Sequence, residues 1–202
     1  MEEAHRRLLG AVESLTDAEV RRPSLLPGWS VGHVLSHLAR NADSHVRRTE
    51  AAASGMVVDQ YPEGLGGREA EIRAGSGRGA RDLVDDVRRS ATAVEAGWRA
   101  VAEGRWVGRS RDASGLERYL FELPARRWQE VEVHLVDLAI GITHEDWPDD
   151  FVREWLPRTR ERMSSRLPAD AGGPPFRSPA EELAWLYGRI STDDRPPAPP
   201  WG

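Results

Sequence analysis

Apolar residues recur at helical spacing in four long stretches of this chain, and Pro and Gly punctuate the segments between them. Leu8, Leu9, Val12 and Leu15 mark a first helix over 3–15, and the Thr16-Asp17 pair offers a cap for a short turn after it. The connector RRPSLLPGW carries Pro23, Pro27 and Gly28 as breakers. Ser30 then stands as an N-cap before a stripe of Val31, Val34, Leu35, Leu38 and Ala42 that runs to about Ala53. Leu83, Val87, Val94 and Val101 predict a third helix over 80–103. Pro124 opens a fourth that reaches Ile140 and ends at Gly141. Long helices with one apolar stripe must bury it against each other, so the expected fold is mainly α: an antiparallel four-helix bundle with a short, reduced C-terminal appendage.

The intervening segments are less regular. Residues 55–79 are Gly-rich, hold a Tyr61-Pro62 pair, and read as a long loop with a short helix near 68–73. Loops of that length inside a compact domain are usually functional. Residues 104–117 suggest a short extended piece around Trp106 and Val107. Beyond the fourth helix, Phe151–Arg166 predicts a helix interrupted or kinked at Pro157. Pro179–Ile190 predicts another, capped by Ser178, and the tail RPPAPPWG reads as extended. The expected division is a bundle over 1–145 and a reduced helical region over 146–202.

Composition excludes several kinds of chemistry. All 28 basic residues are Arg, and the chain has no Lys and no Cys. Schiff-base lysine mechanisms, disulfides, thiolate ligands and a nucleophilic cysteine are therefore ruled out, and any thiol must come from outside. A net charge of −5 argues against a nucleic-acid partner. No apolar run approaches the ~20 residues that span a bilayer, and the opening MEEAHRRLLGAVESL lacks the apolar core of a signal peptide. The expected setting is the cytoplasm, without a membrane partner, as a monomer or homodimer.

Within this frame three side chains concentrate the possible chemistry. Glu130 and His134 are four residues apart and share a helix face, and His37 lies on a separate predicted helix. Two imidazoles and a carboxylate are a common set for a divalent metal with an open position, zinc above all. His33, one turn before His37, competes for the role, as does Glu132, whose direction diverges from that of His134. His134 stands among Val131, Val133, Leu135, Val136 and Leu138, where an unpaired polar group is costly. Asp43 and Asp137 are open to two readings, as acceptors for imidazole N–H groups or as caps and ion-pair partners of Arg.

At these residues the chain resembles the mycothiol-dependent maleylpyruvate isomerase family, a branch of the DinB-like metal-binding bundles. The runs that carry the resemblance are LPGWSVGHVLSHLARNAD, YPEGLGGREAEIRAGSGR, WQEVEVHLVDLAIG and the ending SPAEELAWLYGR with PPWG. The resemblance implies a divalent metal, usually zinc, on His37, Glu130 and His134, with His33 outside the ligand set. It implies mycothiol as cofactor. The implied reaction is thiolate addition to the cis double bond of maleylpyruvate, rotation, and elimination to the trans isomer. Two carboxylates then call for cations: Arg68 is the first candidate and Arg40 the second. Asn41 and Tyr61 are candidates for contact with the thiol cofactor. The chain departs from the family in its ending, where RLPADAGGPPFR replaces a larger stranded domain. That shortening favours a changed substrate, and so an alternative, a thiol S-transferase acting on another electrophile. A further alternative, of another class, is a non-catalytic metal- or partner-binding bundle.

Overall fold

The computed structural model describes residues 1–167 and 173–198. Helix α1 (Glu2–Val12) buries Ala4, His5, Leu8 and Val12, and the short α2 (Asp17–Val20) begins with a complete capping box. Thr16 Oγ1 accepts from the Glu19 backbone N–H, and the Glu19 carboxylate accepts from the Thr16 N–H at 2.8 Å. Helix α3 (Val31–Ala53) is capped by Ser30 and is buried along most of its length. Helix α4 (Gly64–Ser76) is longer than the sequence suggests, and helix α5 (Ala80–Arg99) follows after a three-residue break. The N-terminus of α5 is met by a carboxylate from α2: the Ala80 N–H donates to Asp17 Oδ1 at 2.7 Å. A small antiparallel hairpin, β1 (Arg109–Arg111) with β2 (Glu117–Tyr119), precedes α6 (Leu123–Asp137). The extended piece thus lies a few residues beyond Trp106 and Val107.

The side-chain ties fix the helix directions. His5 meets Glu95 and Glu2 meets Arg99, so α1 and α5 run in opposite senses. His37 meets His134 while Leu38 and Asn41 meet Arg127, so α3 and α6 are also antiparallel. Arg40 meets Asp86 and Thr49 meets Trp98, so α3 and α5 run the same way. The segment carrying α4 is the long connection that such a pair requires. Its close approach to α3 depends on two glycines. A Cβ on Gly32 would stand 2.5 Å from the Ser76 carbonyl oxygen, and one on Gly75 would stand 2.2 Å from Ser36 Oγ. Ala42, Ala52, Val94, Trp98, Leu120 and Leu123 form an apolar cluster drawn from α3, α5, the turn before α6 and the start of α6.

The chain divides into two compact units, Met1–His134 and Leu135–Gly202. The bundle belongs to the first. In the second, the end of α6 turns at Ala139 and Gly141, both with positive φ, slightly before the predicted stop. Helix α7 (Asp149–Met163) continues through Pro157, and α8 (Pro179–Leu186) is capped by Ser178, whose Oγ accepts from the Glu181 N–H at 3.1 Å. Trp147 packs on Phe151 and Tyr187 at ring separations of 5.4 and 6.0 Å. The expected extended tail falls partly on Pro199–Gly202, and the shortened stretch before α8 partly on Pro168–Gly172; both lie outside the described residues. Among the described residues no helix is long and apolar enough to cross a membrane.

Candidate metal centre

The capping of α3 decides which of its histidines faces inward. Ser30 Oγ accepts from the His33 N–H, and His33 Nδ1 in return accepts from the Ser30 N–H at 3.2 Å. His33 is therefore the reciprocal half of a capping box, occupied at the helix start. One turn on, His37 is 3% exposed and points across to α6. On α6 the two glutamates also separate. Glu132 accepts from Arg7 Nη1 of α1 at 2.6 Å, whereas Glu130 faces α3 together with His134.

Three ligand atoms converge there. His37 Nε2 lies 3.0 Å from His134 Nε2 and 3.1 Å from Glu130 Oε2, and the latter two are 3.4 Å apart. Zinc–ligand bonds of ~2.0–2.2 Å at tetrahedral angles place ligand atoms roughly 3.3–3.5 Å apart. The triangle is close to that edge length before any adjustment, so the residues fit a divalent cation. Their protonation also fits. Burial pushes the His37 imidazole down to about 4, with His134 and Arg68 adding to the effect against the hydrogen bond and charge of Glu130. Burial alone would raise the Glu130 carboxyl, but hydrogen bonds from His134 and His37 hold it well below the usual carboxylate range. A neutral His37 imidazole beside an ionised Glu130 carboxylate is the donor state a cation needs.

Arg68, from α4, closes one side. Its Nη2 donates to His37 Nδ1 at 3.1 Å, and its guanidinium lies 5.9 Å from the Trp29 ring and 5.7 Å from the Tyr61 ring. Tyr61 is half-buried, and burial raises its phenol above the ordinary value. The structure thus gathers His37, Glu130, His134, Arg68 and Tyr61. It gives Arg40 and Asn41 other partners. Arg40 Nη2 reaches both carboxylate oxygens of Asp86 at 2.9 Å and Asp43 at 3.0 Å, tying α3 to α5. Asn41 is buried, and its Oδ1 accepts from Arg127 Nη1 at 2.8 Å. Asp137 accepts two bonds from Arg189, each 2.7 Å long.

Two residues of this interior were not singled out by sequence reasoning. Arg48 and Arg127 are 1% and 0% exposed, and burial lowers each guanidinium to about 10. Arg127 gives Nη1 to Asn41 and the Leu38 carbonyl and Nε to His5 Nε2, and leaves its Nη2 buried without a partner. The available signal was position: Arg127 lies seven residues before His134, and Arg48 eleven after His37, each two or three helical turns along the same face.

A helical bundle that carries two histidines and a glutamate on facing helices belongs to a known class of fold, and the comparisons define it. The fold is that of a mycothiol-dependent maleylpyruvate isomerase. A crystal structure of that enzyme superposes with a TM-score of 0.88, covering 99% of this chain and 93% of that one at 22% sequence identity. A variant of that enzyme with one histidine replaced by alanine gives the same figures. The profile of the mycothiol maleylpyruvate isomerase N-terminal domain family matches residues 1–139, and the chain belongs to that family. None of the curated proteins compared with it matches.

Proposed function

We propose that the chain is a metal- and mycothiol-dependent cis–trans isomerase of the maleylpyruvate type, with a divalent cation, zinc by its donor set, held on His37, Glu130 and His134. The observation that carries this reading is the convergence of three unlike-sourced ligand atoms within 3.4 Å in a buried bundle interior. A cation bound there would hold a coordinated thiol as its thiolate near neutral pH. The chain supplies no thiol of its own, having no Cys, which agrees with a thiol cofactor.

The residues around the triad have definable tasks on this reading. Arg68 donates to His37 Nδ1, so the imidazole proton resides on Nε2. Once Nε2 is engaged by a cation, the proton belongs on Nδ1, which can then no longer accept from Arg68. Arg68 is released, with the Trp29 and Tyr61 faces still flanking it, to pair with a substrate carboxylate. The cis double bond becomes single on addition of the thiolate, turns, and re-forms trans on its loss. Negative charge gathers on the adjoining keto oxygen meanwhile, and a cationic wall favours that change.

Metal analysis of purified protein, followed by the absorbance of maleylpyruvate with catalytic mycothiol, tests the reading. About one equivalent of divalent metal and turnover with sub-stoichiometric thiol are expected. Conversion that consumes one thiol per product, with the thioether seen by mass spectrometry, would replace the isomerase with an S-transferase on the same centre. Absence of bound metal would leave a non-catalytic bundle.

A further inference from the structure

The interior of the bundle contains a cation that has no ion-pair partner among the described residues. Arg48 is 1% exposed; its Nε donates to Ser110 Oγ at 3.0 Å, its Nη2 is buried without a partner, and it forms no ion pair with any described residue. An unpaired buried charge is among the most costly features a fold can carry. Arg126 on α6, near enough for its charge to act on Arg48, also leaves its Nε buried and unpartnered. The nearby acids, Asp112 and Glu122, offset these two charges only in part, since burial remains the larger effect on each guanidinium. Asp112 is taken up by Ser114, the Leu116 N–H and Arg118, and Glu122 approaches Arg126 only to 3.7 Å. A buried water could satisfy a hydrogen bond here but not the charge.

The position of this pair is informative. Arg126 precedes Glu130 by four residues, one turn or about 6 Å along α6. Tyr61, whose ring lies 5.7 Å from the Arg68 guanidinium, is near both sets: its phenol acts on Arg48, and the Glu130 charge acts on it. Tyr61, Arg126 and Glu130 are each half-buried, so the region has a rim as well as an interior.

We propose that Arg48 and Arg126, with Ser110 and Tyr61, form a carboxylate-binding subsite one helical turn from Glu130, which takes an anionic end of the small-molecule substrate while its reactive end meets the His37–Glu130–His134 centre. The subsite stands on its own geometry; only the assignment of the other end rests on the function proposed above. The inference restricts the substrate class to compounds with a carboxylate about one helical turn from the reacting carbon. Neutral electrophiles lack the charge that would neutralise these two arginines.

Isothermal titration of chelator-treated protein with maleate tests the subsite without metal or turnover. One maleate per chain is expected, with affinity falling tenfold or more in both Arg48→Gln and Arg126→Gln, and less in Arg48→Lys. Crystals grown in bromide should show an anomalous peak bridging Arg48 Nη2 and Arg126 Nε. Circular dichroism checks that each variant folds; if Arg48→Gln does not, Arg126→Gln, Arg48→Lys and the bromide peak decide. Absence of maleate binding by the folded native chain, binding indifferent to both positions, or water alone at the bromide site overturns the inference. Because the metal-free protein is used, a chain that binds maleate but no metal would refute the proposed function and leave the subsite standing, and the reverse result would do the opposite.

Discussion

Two carboxylates on α6, seven residues apart, show what separates a structural charge from a chemical one. Asp137 is 0% exposed, and both its oxygens accept from one guanidinium, Arg189, at 2.7 Å. Donor and acceptor match in charge, number and direction, so the pair is complete. Glu130 is 26% exposed at its side chain, and its Oε2 meets two imidazole nitrogens that also meet each other. Three atoms able to donate a lone pair gather at one point, and the chain brings no cation among them. A closed pair fixes a fold; an open set of like-natured donors is a site waiting for an outside partner.

The largest expected effect breaks the open set. His37→Ala should reduce bound divalent metal from about one equivalent to under about a tenth, since ligand loss removes most of the binding free energy. Turnover should fall on the order of a thousandfold, the several kcal/mol a Lewis acid supplies. Metal content by mass spectrometry and maleylpyruvate turnover check both. A full equivalent of metal on His37→Ala would reduce the triad to an ordinary buried polar cluster and erase the contrast with Asp137.

Acid should expose the same contrast in the metal-free chain. His5, His37 and His45 are buried and neutral. Burial foremost lowers His5 to about 3, assisted by Arg127, and His37 to about 4, while burial with Arg48 and Arg127 takes His45 well below its ordinary value. As pH falls through about 6.5 the unfolded chain binds a proton at each and the folded chain does not. Stability therefore falls, by up to about 1.4 kcal/mol per pH unit for each group. The His37 share levels off below about 4 and that of His5 below about 3. Glu130, held low, adds a further loss as the unfolded carboxyl protonates. Urea midpoints from pH 7.5 to 4.5 measure this; a flat profile would show that these imidazoles are reached by water.

Next in size is the closed pair. Asp137→Ala leaves Arg189 buried at 9% side-chain exposure without its counter-charge, and should destabilise by about 3–5 kcal/mol in urea unfolding. The folded fraction should retain its metal. Loss of metal at constant fold would instead make Asp137 part of the centre.

How much of this was legible in the sequence follows from the range over which each signal acts. Thr16, Ser30 and Ser178 cap the helices they precede, because capping is settled within four residues. The four-residue spacing of Glu130 and His134 places them on one face for the same local reason. That His37 arrives opposite them depends on α3 and α6 being antiparallel neighbours, which no local pattern encodes; the family resemblance supplied it. The full length of helix α4, expected only near 68–73, was hidden because Gly64, Gly66 and Gly67 depress helix propensity and only Ile72 is buried, so no apolar stripe marks it. The common direction of α3 and α5 left no trace in either stripe, since periodicity is blind to chain sense. Arg48 and Arg127 were passed over because arginine is ordinarily a surface residue; only their place on the stripes of His37 and His134 pointed inward.

The smallest effect tests whether the choice between His33 and His37 is made by capping. Ser30→Ala removes the Oγ that accepts from the His33 N–H and meets His33 Nδ1 at 2.8 Å. Loss of an N-cap of this kind costs about 1 kcal/mol. His33 keeps only the Ser30 N–H as a partner, one turn from His37. If geometry along α3 alone excludes His33 from the centre, Ser30→Ala should lower the urea midpoint and leave metal affinity and stoichiometry unchanged. If the capping box is what holds His33 away, the freed imidazole should compete for the cation. Metal affinity of the Ser30→Ala, His37→Ala double variant should then recover above that of His37→Ala alone. Parallel metal titrations of the two variants distinguish these outcomes, and recovery would transfer the inward-facing role from backbone position to a single serine hydroxyl.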